Sequence, residues 1–163
     1  MEYRDLYDKE RNLTGKVIKK DDLVPSGYYY ITVMVFIENL KGEILLQKRS
    51  KEKGGVWATT GGHPKAGQSS LEGMQAEIKE ELGIDVSLND LVLFKTIKTE
   101  DDFLDLYYLK KDINLNDIKI QAEEVQVANW FTIEEIEEMI KTGEFFKWHI
   151  DAYRDYLKYI ITR

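Results

Sequence analysis

A mixed β-sheet covered by helices on both faces is the architecture this sequence predicts, and three observations predict it. Runs rich in β-branched and aromatic residues occupy positions 30–36 and 43–49, ahead of a helical segment at 70–82. Further strand-like runs follow at 91–99, 103–110 and 125–131. Helical periodicity then returns at 133–141 and 146–161. Strands, helix, strands and helices in that order call for helices against both faces of one sheet, an α/β arrangement.

The first 29 residues are polar and turn-rich ("NLTGK", "VPSG") and are expected to form a short extended arm or hairpin. "YITVMVF" then reads as a buried strand, "NLKGE" as a turn and "EILLQKR" as the hairpin partner of that strand. The helix at Ser70–Leu82 starts at an S-x-x-E capping box, Ser69 with Glu72, and stops at Gly83. "VQVANWF" supplies the fifth strand, and Thr132 with Glu135 makes a second capping box for the next helix. No internal repeat or low-complexity tract interrupts the chain. Residues 1–163 are therefore expected to form a single domain: an arm at 1–29, a loop and helix at 61–84 and a closing helix at 146–161.

The 163 residues carry 43% hydrophobic and 33% charged side chains, ordinary globular composition. There are no cysteines, which excludes disulfides, thiolate zinc sites and a cysteine nucleophile, and suits a reducing compartment. The charged start and the lack of any long apolar run predict a protein with no membrane partner, in the cytoplasm. A net charge of −7 argues against a nucleic-acid polymer as partner, because such binding rests on neutralising phosphates with Lys and Arg. A small anion remains compatible with an acidic protein when a divalent cation mediates.

The central helix poses a problem that its fold role does not answer. At about 100° per residue, Leu71, Met74, Ile78 and Leu82 form one stripe for the core. With Leu71 at zero, Glu80, Glu77 and Glu81 fall near about 180°, 240° and 280°, on one arc beside that stripe. Like charges so spaced destabilise a helix by a few tenths of a kcal/mol per pair. Something outside the helix must compensate. A solvated acidic face is the plain reading of such a cluster when it stands alone.

It does not stand alone. "GGHPKAGQSSLEGMQAEIKEELGI" resembles the Nudix box, G-x5-E-x7-R-E-U-x-E-E-x-G-U with U aliphatic. Gly62, Glu77, Ile78, Glu80, Glu81, Gly83 and Ile84 supply seven of its nine defined positions. Gln68 stands in place of the glutamate and Ala76 in place of the arginine. Gln68 can still offer a carbonyl oxygen, and Gln75 or Lys79 can stand in for the lost guanidinium without its planar fork. "YYYITVMVFIENLKGEILLQKRS" and "GGVWATTGGHPKAG" extend the likeness over residues 5–146, closest to the branch that includes isopentenyl-diphosphate isomerase and related Nudix hydrolases.

The resemblance implies a Nudix-type α/β/α sandwich with a mixed sheet. It also implies a hydrolase that cleaves the diphosphate bond of a nucleoside diphosphate linked to another moiety. The cofactor it implies is Mg2+, with Mn2+ as a substitute, since hard oxygen ligands suit these ions. Gly62, Glu77, Glu80 and Glu81 are the metal positions so implied. Glu80, Glu81 and a later loop acid, Glu124 in preference to Glu123, are the catalytic ones. Arg49 and Lys53 are expected to bind the diphosphate, and Trp57, His63 and Gln68 to line the substrate site. An isomerase of this branch needs a cysteine just before "GHP", where this chain has Gly61. The competing reading is a catalytically weak or inactive Nudix-fold binding module, which the changes at Gln68 and Ala76 would suit. Exposed aromatic residues of the arm and the last helix permit a homodimer.

Overall fold

The alternation of one strand organises the molecule. The computed structural model describes residues 2–163. Its elements run β1 (Tyr3–Tyr7), β2 (Leu13–Lys19), β3 (Tyr30–Glu38), β4 (Ile44–Arg49), β5 (Trp57–Ala58), β6 (Thr60–Gly62), α1 (Ser70–Leu82), β7 (Val92–Lys98), β8 (Asp102–Lys110), β9 (Val125–Phe131), α2 (Ile133–Thr142) and α3 (Ile150–Thr162). Because side chains alternate along a strand, β3 sends Ile31, Val33, Val35 and Ile37 to one face and Met34 and Phe36 to the other. The first set packs on Met74, Ile78 and Leu82 of α1. The second packs on Ile136 and Met139 of α2 and on Ala152, Tyr153 and Tyr156 of α3. The helices thus sandwich a mixed sheet, as the sequence predicts. Met74, Ile78 and Leu82 are fully buried, each worth about 1.5–3 kcal/mol of apolar burial.

The sheet runs β5-β4-β3-β8-β7, with β6 on β3 and β9 on β4. β3 lies parallel to β8 along its whole length. The hairpin expected between β3 and β4 exists only at its turn: Glu38 pairs with Ile44, and the strands then part. β4 continues instead against β9 and β5, while β3 takes β6. The two short strands from Trp57 to Gly62, which sequence reasoning did not find, bridge the split. This divergence opens the space in which the candidate site lies.

The N-terminal residues form the β1–β2 hairpin and are fastened down. Leu6 is buried, and Tyr7 pairs with Tyr29. Arg11 donates to both carboxylate oxygens of the buried Asp105 on β8, at 2.8 and 2.5 Å. That carboxylate also accepts from Thr96 and from Ser70, the first residue of α1. Ala66 and Gly67, in the loop before α1, donate their amides to Tyr3 and Asp5 of β1. One buried acid therefore links the hairpin, the sheet and the start of the acidic helix. At the other end, Arg163 reaches Glu38, which also accepts the hydroxyls of Tyr108 and Tyr156. Among the described residues, no helix is long and apolar enough to cross a membrane.

Candidate active site

The acidic helix begins and ends as its sequence requires. Ser69 Oγ accepts from the Glu72 amide at 3.1 Å, Glu72 returns the bond to the Ser69 amide at 2.9 Å, and Gly83 closes the helix at φ 69°. These ends fix the rotation of α1, so Glu77, Glu80 and Glu81 all line one cleft of about 360 Å³. Its walls come from β3, β4, the Ala58–His63 segment, the N-terminal hairpin and the loop before β9. That loop is pinned to the helix end: the Gln121 amide donates to Glu81 O and the Lys119 amide to Leu82 O. This explains how Glu124, distant in sequence, reaches the same cleft.

Each clustered carboxylate meets a different compensation. Glu80 pairs with Lys65 at 2.7 Å. Glu81 is 8% exposed and accepts from Gln47 Nε2 at 2.7 Å, while its Oε2 is buried without a partner. Burial first, and the Glu80 charge second, raise the pKa of Glu77. Burial and the Glu77 charge do the same for Glu81. Without a cation, each carboxylate therefore favours its protonated form more than a free glutamate does. Among the described residues no three acidic or histidine side chains converge as a finished cation cage. Lys65 and Lys53 hold Glu80 and Glu124 respectively.

Three features of this chain fit a hard divalent cation all the same. The donors are carboxylate and carbonyl oxygens, the ligand type Mg2+ prefers. An orphaned carboxylate oxygen, Glu81 Oε2, faces no protein donor. Gly62 leaves room for the Glu77 carboxylate: a Cβ there would lie 2.3 Å from Glu77 Cδ.

Of the residues expected to meet substrate, Arg49, Lys53 and His63 line the cleft. Arg49 lies over the Phe146 ring at 3.9 Å, and Lys53 is ion-paired with Glu124. His63 Nδ1 sits 3.2 Å from Ile31 O and 3.3 Å from Thr32 Oγ1; burial lowers its pKa to about 4, so it is neutral at pH 7. Trp57 and Gln68 are not among the lining residues. Trp57 packs edge-on against Phe131, and Gln68 Oε1 accepts from the Lys65 amide, shaping the loop that presents Lys65. The expected stand-ins for the box arginine are occupied elsewhere. Gln75 donates to Val86 O and Lys79 pairs with Asp85, so neither serves Glu77.

Sequence reasoning missed Gln47, His149 and Arg4. Gln47 is 4% exposed and couples Thr60 Oγ1 to Glu81, with 2.7 Å bonds on both sides. The available signal was a lone amide inside the aliphatic run of β4, since a buried polar side chain needs a reason. His149 lines the cleft beside Arg49, where burial lowers its pKa to about 3. Arg4 reaches the cleft from β1, and no sequence pattern announces a long-range contact of that kind.

Comparison with known proteins places this geometry in context. The family model described as the NUDIX domain matches residues 29–155. An uncharacterized Nudix hydrolase of Listeria monocytogenes is 35% identical over 149 residues, covering 89% of this chain and 88% of its own. An isopentenyl-diphosphate Delta-isomerase of Pectobacterium atrosepticum is 27% identical, over 86% of this chain and 83% of its own. Among solved structures, that of DR0079 from Deinococcus radiodurans superposes with a TM-score of 0.70 at 21% identity, covering 88% of this chain and 91% of the other.

Proposed function

The chain belongs to the NUDIX domain family and is a pyrophosphohydrolase, and from that premise we propose that it cleaves the diphosphate bond of a nucleoside diphosphate linked to another moiety, with Mg2+ or Mn2+ as cofactor. One observation carries the reading: the half-buried Glu77 and the buried Glu81, one oxygen of the latter unpartnered, face a cleft beside a glycine that cannot gain a side chain without displacing Glu77. Such a pair is costly to keep in a fold unless a cation answers it.

In this reading Glu77, Glu81, Glu80 and the Gly62 carbonyl would hold the metal. A bound divalent ion supplies charge neutralisation at the phosphate oxygens and acidifies an attacking water. Gln47 holds Glu81 Oε1 and so aims its free oxygen. Glu124 stands across the cleft as an acceptor for the proton of that water, with Glu80 or Glu81 as further candidates for the role. Lys53, now paired with Glu124, is placed to exchange it for a phosphate oxygen. Arg49 keeps its charge and offers a planar donor fork to the diphosphate. His63, neutral, lines the site without adding charge. The isomerase activity named for some relatives is disfavoured here. The chain has no cysteine, and a Cβ at Gly61 would lie 2.7 Å from Val33 O. The absence of cysteine also supports a cytoplasmic setting.

The test is hydrolysis of a panel of ADP-ribose, nucleoside triphosphates and dinucleoside polyphosphates with Mg2+. At least one member should turn over, and Glu80→Gln and Glu81→Gln should each cost orders of magnitude in rate. Folded protein that hydrolyses none of them contradicts the proposal and points to a binding module.

A further inference from the structure

Among the described residues, two guanidinium groups have no ion-pair or hydrogen-bond partner, and both line the cleft. Of the five arginines in the sequence, Arg11, Arg154 and Arg163 pair with Asp105, Glu137 and Glu38. Arg4 and Arg49 make no ion pair and no side-chain hydrogen bond among the described residues, and the Nε of each is buried without an acceptor. In a chain of net charge −7, leaving two guanidinium groups unanswered inside one cleft is a costly arrangement that an anionic ligand would relieve.

The two do not serve the same part of the cleft. Arg49 precedes Ser50, whose amide donates to Glu124 O, and lines the cleft with Glu81 and Glu124, the carboxylate end where the diphosphate is expected. Arg4 instead stands at the His63 end, over the Tyr30 ring that meets His63 edge-on at 5.1 Å between centroids. Arg4 lies over that ring at 5.3 Å, a contact that helps hold the guanidinium in place. Lys20 touches Glu2 only loosely, at 4.0 Å. Arg4, Lys20 and Glu2 together leave one net positive charge there, which a phosphate monoester, about −1.5 to −2 at neutral pH, meets through the unpaired guanidinium.

We propose that Arg4, on the N-terminal hairpin, is a specificity-determining residue that binds a phosphate monoester carried by the substrate away from its scissile diphosphate. The substrate class is then a nucleotide-linked diphosphate bearing an additional phosphate. The assignment rests on the pyrophosphohydrolase reading above for the identity of the cleft. It explains why the hairpin is tied to the body through Asp105, Gly67 and Ala66: a recognition residue on a loose arm would hold no fixed position.

Two ligand pairs that differ only by one phosphate monoester provide the test: NADPH against NADH, and coenzyme A against dephospho-coenzyme A. Binding is measured with EDTA present, so that no turnover intervenes, and hydrolysis is measured separately with Mg2+. For at least one pair the phosphorylated member should bind about tenfold tighter or more, the range for one charge-assisted contact. In Arg4→Met that preference should fall to about one, and Arg4→Lys should keep part of it. Thermal unfolding of each variant establishes that it is folded, and Arg4→Lys carries the comparison if Arg4→Met is not. Equal binding within both pairs by the unaltered protein, or a preference that stays undiminished in the variants, overturns the proposal, as does failure to bind any of the four. A preference that depends on Arg4 with no hydrolysis under Mg2+ upholds the proposal and counts against the hydrolase reading alone.

Discussion

Gln47→Leu removes a side chain to which no substrate contact is assigned, yet it should weaken metal-dependent activity as well as the fold. The amide donates to Glu81 Oε1 at 2.7 Å and accepts from Thr60 at 2.7 Å, all three residues being buried. A hydrogen bond to a charged acceptor contributes about 1.5–3 kcal/mol, and each 1.4 kcal/mol is about tenfold. Loss of a group that orients a metal-binding carboxylate costs about 10- to 100-fold in metal affinity. The Mg2+ concentration for half-maximal rate should therefore rise about 10- to 100-fold. Stability should fall too, by about 1–3 kcal/mol, because Glu81 Oε1 loses its donor beside an already unpartnered Oε2. Leucine fills a similar volume with apolar surface, and the unmet hydroxyl of Thr60 offsets part of that gain. Thr60→Val, which frees the amide to turn, should shift the Mg2+ dependence the same way by less. The assay is initial rate against Mg2+ at saturating substrate, with urea unfolding in parallel. A variant that loses stability while keeping its Mg2+ dependence within about twofold would show that Gln47 is packing and nothing more.

Three other outcomes follow from the same geometry. Gly62→Ala places a Cβ 2.3 Å from Glu77 Cδ, so it should displace that carboxylate and lower kcat/KM about 10- to 100-fold, while thermal unfolding confirms a folded chain. Arg11→Ala strips the bidentate partner from a fully buried Asp105 and should cost about 2–4 kcal/mol in urea unfolding, part of it recovered by adding Asp105→Asn. In metal-free protein, burial and mutual repulsion push Glu77 up to about 7 and Glu81 up to about 8 from 4.5. The folded state then holds protons that the unfolded chain has released, so metal-free stability should fall as pH rises through that window. Because Mg2+ displaces those protons, its stabilising effect in a thermal shift assay should be larger near about pH 8.5 than near about pH 6.

Local signals in the sequence located most of the elements. Both capping boxes are formed as spaced, at Ser69 with Glu72 and at Thr132 with Glu135, because those bonds lie within one helical turn. The strand of residues 125–131 has the predicted limits, and the helix of 70–82 does too. What failed was pairing. Nothing in "EILLQKR" tells that β4 leaves β3 after one pair and joins β9, since both faces of the strand are buried in either arrangement. Strands as short as Trp57–Ala58 carry no periodicity to detect.

The candidate site was legible where a spacing concentrated it, on α1, and illegible where the fold brought it together from afar. Glu77, Glu80 and Glu81 meet at one cleft because four-residue geometry puts them there. Arg4 and His149 arrive by tertiary packing, one on a hairpin and one after the last turn of the chain before α3. Gln68 and Trp57 occupy motif positions but spend their polar or aromatic groups on the loop and on Phe131. A motif position fixes where a residue sits along the chain, and its neighbours decide what its side chain touches.

The central claim is that a divalent cation sits on the Glu77–Glu81 pair. Mn2+ binding followed by electron paramagnetic resonance on metal-free protein, with Glu81→Gln beside it, tests this without any substrate. The account predicts a bound Mn2+ signal that Mg2+ displaces and that Glu81→Gln weakens at least about tenfold. Free Mn2+ alone, or binding untouched by Glu81→Gln, would contradict it.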